Sequence, residues 1–174
     1  KFCIHPKEKC TLKTKIGGTK NFNIEKIKSL TPDLIIANKE ENVKEQIEEL
    51  AKHYPVWVSD VNNLSDAYSM IRQIGEITGT QTLSEKITSD IANAFVKLKK
   101  YLQNFAQTKD QPQTAYLIWR NPYMAAGGDT FINAMLEAAG LNNIFKIKNR
   151  YPETSIEELK NKNIQLLLLS SEPY

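Results

Sequence analysis

Residues that build specialised small folds are scarce in this chain of 174 residues. Two cysteines and two histidines are too few for a disulfide-stapled scaffold, and seven glycines with seven prolines are too few for a collagen-like or low-complexity chain. No apolar run approaches the roughly 20 residues that a membrane-spanning helix needs. The formal net charge of only +3 argues against a dedicated nucleic-acid-binding protein. With 41% hydrophobic residues, the chain is expected to form one large globular domain or two small lobes.

Both cysteines lie near the start of the chain, and His5 lies between them. Cys3 and Cys10 can form a disulfide only if their Cα atoms approach within about 7 Å, which the spacing does not decide. With His5 they could instead bind a metal, although the spacing matches no standard zinc pattern and a fourth ligand is missing. Ordinary thiols are the favoured interpretation, and no resident metal or cofactor is predicted.

The first eighty residues alternate between helical and strand periodicity. Amphipathic segments predict helices, and the short apolar runs between them predict buried strands. The predicted elements are a helix at 24–30 capped by Asn23, a strand at 34–37, a helix at 43–53, a strand at 56–58 and a helix at 64–78 that ends at Gly79. This alternation is typical of βαβ units on a parallel sheet, so the predicted fold class is α/β.

A long helix is predicted in the middle of the chain. Apolar residues recur at helical spacing from Gln81 to Lys109, with neither glycine nor proline between them, which gives a rod of roughly 40 Å. A coiled coil would need a sustained heptad with charged flanks, so packing against the rest of the same chain is favoured. After it we predict a strand at 114–119, a helix at 130–139 capped by Asp129, a helix at 156–162 opened by the capping box of Ser155 and Glu158, and a strand at 165–170.

One segment of the first half recurs in the second half. Ile24 to Ala37 and Ile156 to Leu169 share the order helix, short turn and strand, at a constant offset of 132 residues. The two copies lie on either side of the long helix. The sequence therefore predicts a lobe at 1–80, a connecting helix at 81–109 and a second lobe at 110–174.

Candidate binding residues follow the predicted strands, because ligands of open α/β sheets lie at the carboxyl ends of the strands. The first such loop contains Lys39 and Glu40, and the richest one contains Trp119, Arg120, Tyr123 and Met124, with Arg150 and Tyr151 as a second patch. Arginine and aromatic side chains can hold a large planar or anionic ligand. The alternative for Trp119 is that it forms the buried end of a strand, and the alternative for Arg150 is that it is a solvated loop residue.

Two glycine pairs precede helices, at Gly17–Gly18 and Gly127–Gly128. Their N–H groups are candidates for an anion contact, and tight-turn geometry alone is the favoured alternative. Neither pair fits a nucleotide-binding fingerprint. The sequence also shows no Ser–His–acid triad, HExxH motif or cysteine elbow, so an enzyme is not predicted.

Several segments resemble the periplasmic substrate-binding proteins of ABC importers for vitamin B12, haem and ferric siderophores. The segments are Ile16-Gly17-Gly18-Thr19, Leu30 to Ile36, Ala126-Gly127-Gly128-Asp129-Thr130-Phe131, Leu136 to Ile144 and Tyr151 to Leu159. The resemblance covers nearly the whole chain and implies two Rossmann-like lobes, each with a short parallel sheet, bridged by one backbone helix. It also implies that one ligand binds in the cleft between the lobes and is delivered to a membrane permease.

The resemblance gives roles to particular positions. In the B12-binding branch an aromatic residue before proline flanks the corrinoid, and Tyr151-Pro152 matches it. A tryptophan follows the first strand in that branch, whereas this chain has Asn38-Lys39-Glu40. Acidic residues that dock onto the permease match Glu45 and Glu157. The family's opening strand and closing helix have no match, and the chain starts with Lys1, so a processed or truncated chain is expected.

The sequence thus predicts a monomeric, non-enzymatic solute-binding protein of the periplasm or cell envelope, with a small-molecule metal chelate and an ABC permease as partners. The chelate is a corrinoid or an iron complex. The predicted ligand-binding residues are Lys39, Glu40, Trp119, Arg120, Tyr123, Met124, Gly127, Arg150 and Tyr151. The alternatives are a cytosolic chelatase-like enzyme with a metal site at Cys3, His5 and Cys10, and an interaction module without a small ligand.

Overall fold

A computed structural model describes residues 5–106 and 110–171. The chain forms two compact units, which divide between Asp60 and Val61. We call them the first and the second unit. The second unit includes the long helix. The division into a lobe at 1–80, a connecting helix at 81–109 and a lobe at 110–174 stays a prediction.

The first unit is a small α/β layer. Its elements are α1 (Lys7–Thr11), α2 (Ile24–Ser29), β1 (Ile35–Asn38), α3 (Lys44–Ala51) and β2 (Val56–Ser59). The two strands pair in parallel, from Ile35 opposite Val56 to Asn38 opposite Ser59. Phe22, Ile27 and Leu50 form the buried core between the helices and the strands.

The second unit contains the long helix and a larger sheet. Its elements are α4 (Leu64–Ile77), α5 (Gln81–Ala106), β3 (Gln113–Trp119), β4 (Tyr123–Ala125), α6 (Phe131–Ala138), β5 (Asn142–Asn143), β6 (Glu153–Thr154), α7 (Ile156–Asn161) and β7 (Leu166–Leu169). The helix α5 confirms the predicted rod, of which residues 107–109 lie outside the described ranges. None of the helices in those ranges combines the length and the apolar character that crossing a bilayer requires.

The sheet of the second unit is mixed rather than wholly parallel. The central strand β3 pairs in parallel with β5 and β7, as the α/β pattern predicts. It also pairs antiparallel with β4, which in turn pairs antiparallel with β6. The segment after β3, which the sequence predicts as a loop, is therefore a hairpin. Its strand β4 was not predicted, because three residues are too few to show an alternating pattern in the sequence. The α/β class with parallel strands and one long helix is confirmed.

Thr130, and not Asp129, caps α6. Thr130 Oγ1 accepts the N–H of Asn133 at 3.1 Å and donates to the carbonyl of Gly127 at 2.8 Å. The prediction of Asp129 as the cap is wrong, because the helix starts one residue later than the pattern indicates and the carboxylate of Asp129 accepts the N–H of Arg150. The predicted caps Asn23 and Ser155 are confirmed.

Candidate functional site

In the first unit, Asn38 organises the polar loop at the carboxyl ends of the two strands. Its Oδ1 accepts the backbone N–H groups of Glu40 and Glu41, both at 3.0 Å. Its Nδ2 donates to Ser59 Oγ at 3.0 Å and so connects the end of β1 to the end of β2. Side-chain hydrogen bonds therefore hold this edge in one arrangement. We call residues 38–42 with Ser59 and Asp60 the first edge.

Lys39 is exposed on the first edge, and its ammonium pairs with the carboxylate of Asp60. Their side chains are 61% and 40% exposed, so water and salt weaken the pair. An anionic group of a ligand can therefore compete with Asp60 for this ammonium. Glu40 is half-buried, and its carbonyl accepts Lys20 Nζ at 2.5 Å.

The glycine pair at 17–18 shapes a turn that supports the first edge. Gly17 has a φ of 122°, which favours glycine, and the N–H of Gly18 donates to the carbonyl of Asn21 at 3.1 Å. The carbonyl of Thr19 accepts Asn42 Nδ2 at 3.0 Å. The Gly18 N–H is thus hydrogen-bonded within the turn. This geometry corresponds to the tight turn that the sequence analysis favoured over an anion contact.

In the second unit, the hairpin between β3 and β4 carries four of the predicted residues. Trp119 pairs with Met124 across the hairpin, next to a shift in strand register. Trp119 is 49% exposed, so it is not the buried strand end of the alternative interpretation. Arg120 is exposed in the turn, where Asn121 has a φ of 64°. An exposed indole can stack on a planar ligand, and an exposed guanidinium can bind its anionic groups.

Tyr123 faces the protein more than the solvent. It is half-buried and packs against the core cluster of the second unit, which contains Leu117, Phe145 and Leu159. Its main role in the described structure is therefore packing, and a ligand contact through its hydroxyl stays a prediction.

Arg150 and Tyr151 lie on the segment that leads into β6. Thr154 pairs with Tyr123 and Glu153 pairs with Met124, and Tyr151 lies in a bend two residues before β6. The guanidinium carbon of Arg150 lies 5.5 Å from the ring centre of Tyr151. Arg150 is exposed and Tyr151 is half-buried. The two residues form a cation–aromatic pair.

The second glycine pair holds the segment before Tyr151. The N–H of Gly127 donates to the carbonyl of Arg150, and the N–H of Gly128 donates to that of Lys148, both at 2.7 Å. A Cβ atom would lie 2.4 Å from the carbonyl oxygen of Lys148 at Gly127 and 1.9 Å from that of Lys146 at Gly128. The backbone therefore uses both N–H groups, and the anion contact was the less favoured of the two alternatives that the sequence offered. Other ligand contacts of Gly127 stay a prediction.

The two predicted docking residues are exposed in the first turns of two helices, Glu45 in α3 and Glu157 in α7. Hydrogen bonds from its own backbone N–H and from Ser155 lower the pKa of Glu157. Glu157 therefore carries its negative charge well into acidic solution.

The predicted metal alternative at the start of the chain is only partly within the described residues. Cys3 lies outside them, while Cys10 Sγ donates to the carbonyl of His5 at 3.3 Å. Within residues 5–106 and 110–171, no three side chains of His, Cys, Asp or Glu are grouped as metal ligands. In the described structure Cys10 is a free thiol, and the sequence favoured ordinary thiols over a disulfide with Cys3.

An apolar cavity of about 710 Å³ lies elsewhere in the second unit, between α5, α6 and residues 110–112. Its lining includes Tyr101 and Leu102 of α5 and residues 137–141. The volume suits a small molecule. None of the predicted binding residues lines it.

Sequence reasoning missed Asn38 and Asp60 as organisers of the first edge, and Asp129 as the partner of Arg150. Asn38 had a local signal, since asparagine directly after a strand often bonds to backbone N–H groups two or three residues later. Asp60 and Asp129 had none, because each bonds to a residue that is 21 positions away along the chain.

A model of the periplasmic binding protein family matches residues 4–172. The vitamin B12-binding protein of Vibrio parahaemolyticus is 25% identical over 169 residues, which are 95% of this chain and 59% of the relative. An ABC transporter substrate-binding lipoprotein of Bacillus subtilis is 28% identical over 148 residues, which are 80% of this chain and 45% of the relative. The chain thus spans about half the length of these curated relatives.

Solved structures show the same fold. The periplasmic vitamin B12 binding protein of Vibrio cholerae matches with a TM-score of 0.77 at 21% identity, over 96% of this chain and 64% of that one. A periplasmic haem-binding protein of Pseudomonas aeruginosa matches with a TM-score of 0.81 at 18% identity, over 95% of this chain and 60% of that one. The enzyme alternative finds no support among these matches.

Proposed function

Because the chain belongs to the periplasmic binding protein family, we propose that it captures a metal chelate for an ABC importer. The chelate is a corrinoid, a haem or a ferric siderophore. The names of the relatives support this class, since they include vitamin B12-binding and haem-binding proteins. The proposed role is non-enzymatic, and the family supports a location outside the cytoplasm.

The observation that carries the proposal is the chemistry of the exposed groups at the predicted positions. The second unit presents the exposed residues Trp119 and Arg120 and the cation–aromatic pair of Arg150 with Tyr151, and the first edge presents the ammonium of Lys39. A macrocyclic or catecholate chelate has flat faces for the rings and anionic groups for the cations. Such a ligand can use both properties at once.

Delivery of the chelate requires a partner at the membrane. We propose that Glu45 and Glu157 contact basic residues of an ABC permease, as the resemblance implies. Both carboxylates are exposed in the first turns of their helices. Exposed charges at such a contact mainly accelerate association and make it sensitive to salt.

Tryptophan fluorescence tests capture directly, because Trp57 lies in the first unit and Trp119 lies in the hairpin. Cyanocobalamin, haemin and a ferric hydroxamate siderophore are titrated into the purified chain and into W57F, which keeps Trp119. We expect saturable quenching by one of them with a Kd of about 1 μM or tighter, near −8 kcal/mol. Flat traces for all three would contradict the proposal.

Replacing Tyr151 by alanine measures the contribution of the second aromatic group. We expect Tyr151→Ala to weaken binding of the quenching ligand by about 1–3 kcal/mol, the scale of a lost aromatic contact. Tyr101→Ala is the matched control, because Tyr101 is 60% exposed and lines the apolar cavity. Weaker binding by the control, with unchanged binding by Tyr151→Ala, would move the ligand to that cavity.

A further inference from the structure

Arg150 has a backbone conformation that its side chain does not favour. Its φ is 54°, in the left-handed region, which residues other than glycine seldom adopt. Such a conformation persists when the surrounding structure fixes it from several sides. At Arg150 these constraints come from the segment of Gly127 to Asp129.

Three consecutive residues of that segment bond to the backbone around Arg150. Gly127 N–H donates to the carbonyl of Arg150, and Gly128 N–H donates to the carbonyl of Lys148, both at 2.7 Å. On the other side of the residue, the carboxylate of Asp129 accepts the N–H of Arg150. Both backbone groups of Arg150 are therefore held, one by a backbone donor and one by a side-chain acceptor.

The helix that follows does not need the carboxylate of Asp129. Thr130 accepts the N–H of Asn133 and so caps α6 by itself. Asp129 is exposed, so burial does not explain its position either. In the described structure its carboxylate bonds to Arg150, 21 residues away along the chain.

The backbone of Arg150 sets the direction of two side chains. The guanidinium of Arg150 lies over the ring of Tyr151, with 5.5 Å from its carbon to the ring centre. If the N–H of Arg150 loses its acceptor, the residue can return to an ordinary φ, which turns the guanidinium and displaces Tyr151. A ligand that binds this pair would then meet a disordered surface instead of a prepared one.

We propose that Asp129 is a positioning residue for ligand binding, which fixes the pair of Arg150 and Tyr151 through the Arg150 N–H. This inference rests on the proposed function. The carboxylate acts as a hydrogen-bond acceptor at one oxygen, so an amide in the same place can replace it. Asp129→Asn keeps this acceptor, whereas Asp129→Ala removes it.

Affinity and thermal stability, measured together, test the proposal. With whichever of cyanocobalamin, haemin or the ferric hydroxamate binds, we expect Asp129→Ala to raise Kd roughly 3- to 10-fold, the scale of one lost hydrogen bond. Asp129→Asn should stay near the unmodified chain, and so should Asp90→Ala, an exposed aspartate on α5. The Tm should fall by no more than about 2–4 °C in Asp129→Ala, the scale of one lost hydrogen bond in a chain of this size, and should not change in the other two variants. An unchanged Kd in Asp129→Ala, or an equal loss in Asp129→Asn, would overturn the proposal.

Amide exchange measured by NMR gives a readout that needs no ligand. The N–H of Arg150 should exchange slowly in the unmodified chain and in Asp129→Asn, and faster in Asp129→Ala. If no probe binds even to the unmodified chain, the proposed function fails. The exchange rate of the Arg150 N–H still shows whether Asp129 holds this group. Equal protection of Arg150 in all three chains would show that Asp129 does not hold it.

Discussion

The two units contain the same helix, turn and strand but use them differently. The helices α2 and α7 start at Ile24 and Ile156, 132 residues apart, and each has six residues. Their N-caps, Asn23 and Ser155, accept the N–H of the third residue after them. The repeat predicted from the sequence is therefore present in the capping geometry as well as in the order of the elements.

The correspondence extends into the core and into the turn. Ile27 and Leu159 are the buried residues of the two helices, 6% and 3% exposed. Thr31 and Asn163 both have a positive φ, of 44° and 48°. The same backbone path is thus followed with different side chains.

The sheets show where the two units diverge. In the first unit β1 has one parallel partner, and the strand ends in the polar loop around Asn38. In the second unit β7 joins a mixed sheet, whose hairpin carries Trp119 and Arg120. A shared local pattern therefore specifies helix, turn and strand, whereas the loops and added strands specify the candidate binding chemistry.

The largest expected effect comes from emptying the two equivalent core positions. Ile27→Ala and Leu159→Ala should each lower the free energy of unfolding by about 2–5 kcal/mol. We expect the larger loss for Leu159→Ala, because Leu159 packs in a cluster of five buried residues and Ile27 in one of three. Urea unfolding followed by Trp57 and Trp119 in single-tryptophan variants reports on each unit separately. Equal losses, or a larger loss for Ile27→Ala, would contradict the expectation that the larger buried cluster makes the greater contribution to stability.

The two positions with positive φ should respond less strongly and unequally. Thr31→Gly should raise the free energy of unfolding by about 0.5–1 kcal/mol, because glycine removes the left-handed strain of a β-branched residue but adds entropy to the unfolded chain. Asn163→Gly should change it by only a few tenths, since asparagine tolerates this conformation. Thermal unfolding measures both. An equal gain at the two positions would mean that side-chain type does not matter in this turn.

The smallest expected effect is a pH dependence of the second unit. Burial raises the pKa of Glu158, but hydrogen bonds from Thr154 and Lys148 outweigh it, and the net pKa is lowered. The resulting stabilisation is present above the ordinary glutamate pKa of about 4.3 and is lost as pH falls through the lower folded value. Glu158→Gln should remove this part of the pH dependence, measured as urea unfolding from pH 7 down to pH 3.

Glu49 of the first unit is the matched control for Glu158. Hydrogen bonding and charge from Lys52 lower the pKa of Glu49, with smaller effects from Lys28 and His53. Lys52 is exposed, and charged partners rather than a hydroxyl group lower the pKa of Glu49, so added salt should reduce the pH dependence that Glu49 contributes. If Glu49 contributed a pH dependence that resisted salt and was as large as that of Glu158, the expected difference between the two glutamates would be wrong.

The sequence predicts the elements well where the signal is local. The caps Asn23 and Ser155, the amphipathic faces and the long helix α5 depend only on neighbours within one or two helical turns, so the sequence shows them directly. The strand β4 and the bonds of Asp129 depend on segments distant along the chain. No local pattern reports those, and they decide whether the glycine pair at 127–128 binds an anion or another part of the backbone.

The candidate site follows the same division. Position after a strand predicts which residues lie at the edge, and Lys39, Trp119 and Arg120 are exposed there. The packing of Tyr123 into the core could not be predicted, because it depends on Phe145 and Leu159 in later elements. The position of Tyr151, in a bend just before β6, depends on the pairing of β4 with β6.

NMR titration of the ¹⁵N-labelled chain tests ligand capture most directly. Cyanocobalamin and gallium analogues of haem and of the ferric hydroxamate are suitable, because these complexes are diamagnetic. We expect saturable shifts of the amides at residues 38–42, 119–124 and 150–151 with one of these ligands. The absence of shifts with every ligand, or shifts confined to the apolar cavity between α5 and α6, would contradict the proposed site.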